Sequence, residues 1–205
     1  KLDASGPEAK RAAEERHGQY FANFGTDDAI ESLARHGGAK RRRGLALELD
    51  NLVAACRRAV SRGDGQPAVA TYRAAWEVLG LHGPFALATD LGTQVLGVGD
   101  RMNPSLRATA QLTFAQALRR AGRIEEARTW LSQALALARD MGNRRREASV
   151  LNGLGNLHRE QGRMTEARDC FEAALTIARE VTDRRLEGGV LVSLGLLHRE
   201  QSRMD

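Results

Sequence analysis

The chain has 205 residues, 42% of them hydrophobic and 28% charged, a balance that supports a buried core and excludes wholesale disorder. Aromatic residues make up only 4%, and the apolar residues are mainly Leu and Ala, so a β-sandwich or barrel is excluded in favour of helices. The net charge is +5, but the arginines are interspersed with Glu and Asp, which reads as solvated helix faces with intrahelical ion pairs and not as a nucleic-acid surface.

In chain order the apolar periodicity predicts helices over 7–24, 27–36, 43–62, 67–80, 84–97, 104–121, 123–141, 145–161, 163–181 and 185–201. Pro7, Pro67, Pro84 and Pro104 each stand before a run of helix formers, where a first turn tolerates proline. Ser5, Thr26, Asp64 and Asn103 are further start signals. The densest basic run, Lys40-Arg41-Arg42-Arg43, reads as a solvated loop. No run of apolar residues reaches the ~20 needed to span a bilayer. Cys56 and Cys170 are far apart, form no metal- or redox-type pair, and fit a reducing, cytoplasmic setting. The chain opens on Lys1, so its natural start is expected upstream.

From residue 105 onward the chain repeats with a period of 40 residues. Gly122-Arg123-Ile124-Glu125-Glu126-Ala127-Arg128 returns as Gly162-Arg163-Met164-Thr165-Glu166-Ala167-Arg168, and Ser202-Arg203-Met204-Asp205 begins a third copy. Between 145–165 and 185–205, 13 of 21 positions are identical. Such a period marks a solenoid, in which no hairpin hides its apolar side alone and stacking completes the core. Within one copy Ala148, Leu151, Leu154, Gly155 and His158 form one helical stripe, Gly162 breaks the helix, and Ala167, Phe171, Ala174 and Ala178 form a second stripe.

These residues resemble the tetratricopeptide repeat family. Leu151 stands in its Trp slot, Leu154-Gly155 and His158 follow at the family spacing, and Ala167, Phe171 and Ala174 complete the second helix. The 105–144 unit is more divergent, with Gln111, Phe114-Ala115, Leu118, Ala127, Leu131 and Ala134. The third unit supplies Leu191, Leu194-Gly195 and His198. The family's closing Pro is replaced by Arg139 and Arg179, and the period exceeds the family's usual 34. The resemblance implies an all-α, right-handed superhelical solenoid of antiparallel helical hairpins. Its expected divisions are an irregular helical region at 1–66, a degenerate hairpin at 67–104, repeats at 105–144 and 145–184, and the first helix of a third at 185–205.

A second resemblance lies in Arg16-His17-x-x-Tyr20-Phe21 and in the run from Glu48 to Ala55. These are similar to the helical region that precedes tetratricopeptide-like arms in the large bacterial signalling ATPases called STAND ATPases. That resemblance implies a sensor or partner-binding arm that touches ATPase or effector domains outside this chain.

Catalytic signatures are not recognisable. The chain has no phosphate-binding Gly-x4-Gly-Lys-Ser/Thr loop, no Gly-x-Ser-x-Gly, no His-Glu-x-x-His and no clustered His and Cys. His158 and His198 share a phase, which suits packing better than a metal, so no cofactor, metal site or catalytic residue is assigned. The family resemblance implies binding of a protein or peptide along the concave face, lined by the first helix of each hairpin. By helical phase that face presents Ser149, Asn152, Asn156 and Arg159; before them Thr109, Leu112, Gln116 and Arg119; after them Gly189, Val192, Leu196 and Arg199. Asn amides suit a peptide backbone and Arg a carboxylate. A small-molecule effector is the alternative, marked by a deep cavity lined by convergent polar groups; a nucleic-acid accessory role would require an arginine stripe on one face. Leu191, Leu194 and Leu197 are expected to leave an apolar end that continues into further repeats or pairs two copies.

Overall fold

A computed structural model describes residues 6–202, so the start signal at Ser5 and the Arg203-Met204-Asp205 repeat start lie outside the described residues. Among the described residues there are helices and no strands. They are α1 Gly6–Ala22, α2 Asp27–Ser32, α3 Gly38–Leu47, α4 Leu49–Arg62, α5 Gly65–His82, α6 Phe85–Leu96, α7 Pro104–Arg120, α8 Ile124–Asp140, α9 Arg144–Glu160, α10 Met164–Glu180 and α11 Arg184–Gln201. Short 3-10 turns at Asn23–Gly25 and Gly99–Arg101 join neighbours. No described helix is long and apolar enough to cross a membrane.

Two expectations for the first half are corrected. The helix expected over 43–62 is two helices, with Glu48 between them at φ −95° and ψ 7°. The basic run is largely exposed, as expected, but it is helical and not a loop. It lies in α3, where the Arg41 guanidinium donates to the carbonyl oxygens of Ser32 and His36 at 2.5 and 2.8 Å and so caps the end of α2. Arg42 approaches Glu77 of α5 at 3.5 Å.

The 40-residue period is a period of helix caps. Asn103, Asn143 and Asp183 each accept a backbone N–H three residues on, at 2.9, 3.0 and 3.0 Å. The arginines that replace the family's closing Pro tie the end of one hairpin to the start of the next: Arg139 donates to Glu147 and Arg179 to Glu187, both at 2.9 Å. A second ladder joins first helices, Arg119 to Glu160 and Arg159 to Glu200. Successive first helices α5, α7, α9 and α11 touch in order, whereas α8 and α10 meet mainly their hairpin partners and the helix that follows. The closer row is the inner side of the solenoid.

One position breaks the pattern. Gly142 ends α8 with φ 62°, and one period later Thr182 holds φ 53°, a region that a β-branched residue enters only under strain. Thr182→Gly is therefore expected to raise stability by up to about 1 kcal/mol in chemical denaturation. An unchanged or lowered midpoint would contradict it.

A continuous core runs from Phe21 through Leu52, Tyr72, Leu91 and Leu118 to Leu157. A second, smaller core holds Ala148, Phe171, Ala174, Val190 and Leu197. Leu197 is thus buried, contrary to the expectation that it belongs to an open end. Leu191 and Val192 are exposed, at 46% and 65%.

Candidate functional site

The inner row bears a cavity of about 320 Å³. Its floor comes from α7, α9 and α11, and one wall comes from α2 and α5, which lie far away in sequence. From α7 it takes Leu112, Thr113 and Gln116; from α9 and the turn before it Arg145, Arg146, Ser149 and Asn152; from the start of α11 Arg185 and Gly189. The wall supplies Asp27, Ile30, Arg73 and Trp76.

An ion-pair network fixes that wall. Arg73 donates to Asp27 at 2.8 Å and to the Gly25 carbonyl oxygen at 3.0 Å, which holds the turn before α2 on α5. Arg145 reaches across the cavity mouth: it donates to Asp183 at 2.5 Å, pairs with Glu31, and lies 3.6 Å from Asp27. One guanidinium therefore bridges α2, α9 and the turn before α11. Burial works against the charge on Asp183, but the Leu186 backbone N–H and Arg145 outweigh it and hold the carboxyl below its ordinary range. Asp27 behaves likewise, with Arg73 overcoming the cost of burial.

Of the residues expected on the concave face, Gln116, Ser149 and Asn152 line the cavity, with Leu112 and Gly189 beside them. Asn156 lies one turn further, where its amide donates to the Asn152 carbonyl at 2.9 Å and approaches the Ser193 hydroxyl at 3.5 Å. Arg119 and Arg159 are committed to the inter-repeat ladder. Val192 and Arg199 are exposed and Leu196 partly buried, all three outside the cavity. Thr109 is a correction: it is buried away from the cavity, with its hydroxyl donating to the Ser105 carbonyl at 2.8 Å, because α7 is enclosed by helices on several sides. Thr113, one turn on, takes the place at the cavity.

Sequence reasoning missed Arg145, Arg146, Asp183 and the whole α2–α5 wall. The triple Arg144-Arg145-Arg146 was the available signal, yet only the path of the first sixty residues shows what it faces. His158 is half-buried, and burial pushes its pKa down; His198 is exposed. No group of three or more His, Cys, Asp or Glu among the described residues could hold a metal ion.

Two tetratricopeptide repeat models match the chain, one over residues 107–141 and one over residues 146–205. No curated protein matches. Among solved structures, the crystal structure of BtubC (BKLC) from P. vanneervenii is similar at 18% identity and a TM-score of 0.45, covering 93% of this chain and 85% of that one. With stacked helical hairpins, 40-residue caps and both family matches falling on α7 to α11, residues 107–141 and 146–205 are tetratricopeptide repeats.

Proposed function

We propose that the protein is a non-catalytic scaffold whose inner row of first helices holds an extended peptide or helix from a protein partner. Tetratricopeptide repeats generally mediate such contacts. The observation that carries the reading is the polar cavity in that row, where Asn152 presents a side-chain oxygen that is closed to solvent and lacks a hydrogen-bond partner. A buried acceptor without a donor is costly, and a peptide N–H is the donor that relieves it. The order of irregular helical region and then repeats supports a finer role as the sensor or partner-binding arm of a larger bacterial signalling regulator in the cytoplasm. A small-molecule effector is the second reading, favoured by the wall that α2 and α5 raise around the cavity.

The test is a peptide library presented to the whole chain and to a variant carrying Asn152→Ala and Asn156→Ala. Binding should weaken at least about tenfold if two charge-free hydrogen bonds are lost. Equal binding rejects the groove.

The exposed pair Leu191 and Val192 on α11 is proposed as a surface on which a second copy packs. Light scattering across concentrations should then show dimers that Val192→Ser disperses; a strict monomer at all concentrations counts against it.

A further inference from the structure

The cavity holds a guanidinium that no hydrogen bond or ion pair among the described residues answers. Asp27 is taken by Arg73, Glu77 by Arg42, and Asp183 by Arg145. That leaves Arg146 and Arg185, whose side chains have no hydrogen bond or ion pair among the described residues. Arg185 is exposed. Arg146 is different: its Nε is closed to solvent and has no partner. Burial and the neighbouring Arg73 and Arg145 push its pKa down to about 10, so it stays a cation at neutral pH in a repulsive field only partly eased by Asp27.

The repeat itself marks this residue as an exception. One period before Arg146 stands Leu106, and one period after stands Leu186; both are partly buried against the cores. The phase calls for leucine, and here alone it holds an unpaired guanidinium. A local rule broken without internal compensation is the expected mark of a functional position.

We infer that Arg146 is the seat for a carboxylate, and that the partner segment entering the cavity is acidic: an Asp or Glu side chain, or a chain-terminal carboxylate, forks onto Arg146 while Asn152 engages the peptide backbone nearby. This rests on the peptide-groove reading above. Arg146 and Asn152 are six residues apart on one helix, about 9 Å along its axis. An extended peptide covers that length in about three residues. The two unpartnered groups also have opposite sense, a donor at Arg146 Nε and an acceptor at Asn152 Oδ1. An acidic peptide supplies both complements, an anionic acceptor and a backbone N–H. The planar fork of arginine suits a carboxylate bidentately.

The experiment selects peptides from a random library on the whole chain, then measures a selected peptide and its Glu→Gln isostere by fluorescence anisotropy against the native protein, Arg146→Leu and Asn152→Ala. Arg146→Leu restores the residue of the repeat, so the unliganded variant should fold with a higher thermal midpoint. Selected peptides should be rich in Asp and Glu. The Gln isostere and Arg146→Leu should each weaken binding about tenfold or more, and the two losses should not add. Equal binding of the isostere, or full binding by Arg146→Leu, overturns the carboxylate seat; if Asn152→Ala still weakens binding, the groove survives that failure. Recovery of no binding peptide, with no binding of glutarate either, overturns both. Glutarate is titrated alongside: if it binds in an Arg146-dependent way and no peptide is selected, the carboxylate comes from a free small acid and the peptide assignment falls. A lowered midpoint for Arg146→Leu with binding intact assigns the residue to structure alone and overturns the proposal.

Discussion

Gly155→Ala is expected to destabilise the protein by about 2 kcal/mol, while the same change one period later, at Gly195, is neutral or stabilising. A Cβ on Gly155 would lie 2.5 and 2.6 Å from Cε1 and Cδ1 of Phe171, a side chain fully buried between α9 and α10. A Cβ on Gly195 meets nothing within 4 Å, so only the gain in helix propensity remains, up to about 1 kcal/mol. The chain also contains the remedy. In the preceding repeat the same two positions hold Ala115 and Leu131, both buried, so a larger residue on the first helix faces a smaller one on the second. Gly155→Ala combined with Phe171→Leu should therefore lose less than the sum of the single changes, a coupling of about 1 kcal/mol measured by urea denaturation. Strict additivity would show that these two residues do not set the hairpin spacing.

Gly25→Ala should be the most damaging single substitution, costing about 3 kcal/mol, at the upper end of overpacking. The added Cβ would overlap the carbonyl oxygen of Ala70, a backbone atom inside α5 that has no rotamer to escape into. Relief requires the Asn23–Gly25 turn to lift off α5. That movement breaks the bond from Arg73 to the Gly25 carbonyl, pulls Asp27 from Arg73, and displaces one wall of the cavity. Thermal unfolding should register the loss of stability, and peptide binding should weaken with it although Gly25 does not line the cavity. A variant with native stability and native binding would mean that the α2 wall is not anchored as described.

The repeats were legible because their determinants are local and periodic. Gly122 and Gly162, and the cap residues Asn103, Asn143 and Asp183, recur at a fixed interval, and each acts within its own hairpin or on the next. Gln116, Ser149 and Asn152 could be placed on the inner face by helical phase, once the family resemblance had said which helices line it. Thr109 failed the same reasoning because phase does not say how many neighbours enclose a helix, and α7 is enclosed more fully than α9 or α11. The cavity wall was illegible for a related reason. The contact from Arg145 to Glu31 joins residues 114 positions apart, and no periodicity carries that information. The departure at Arg146 from the leucines at 106 and 186 was present in the sequence, and it becomes meaningful only beside Arg73, Arg145 and the cavity they line.

The central claim is that a partner segment enters the inner face between α2, α7, α9 and α11. Hydrogen exchange of the whole chain, with and without a saturating library-selected peptide, tests it most directly. Added protection should concentrate in α2, in the first turns of α9 around Arg146 to Asn152 and in the start of α11, with α8 and α10 unchanged. Protection confined to α8 and α10 would place the partner on the opposite face and contradict the account.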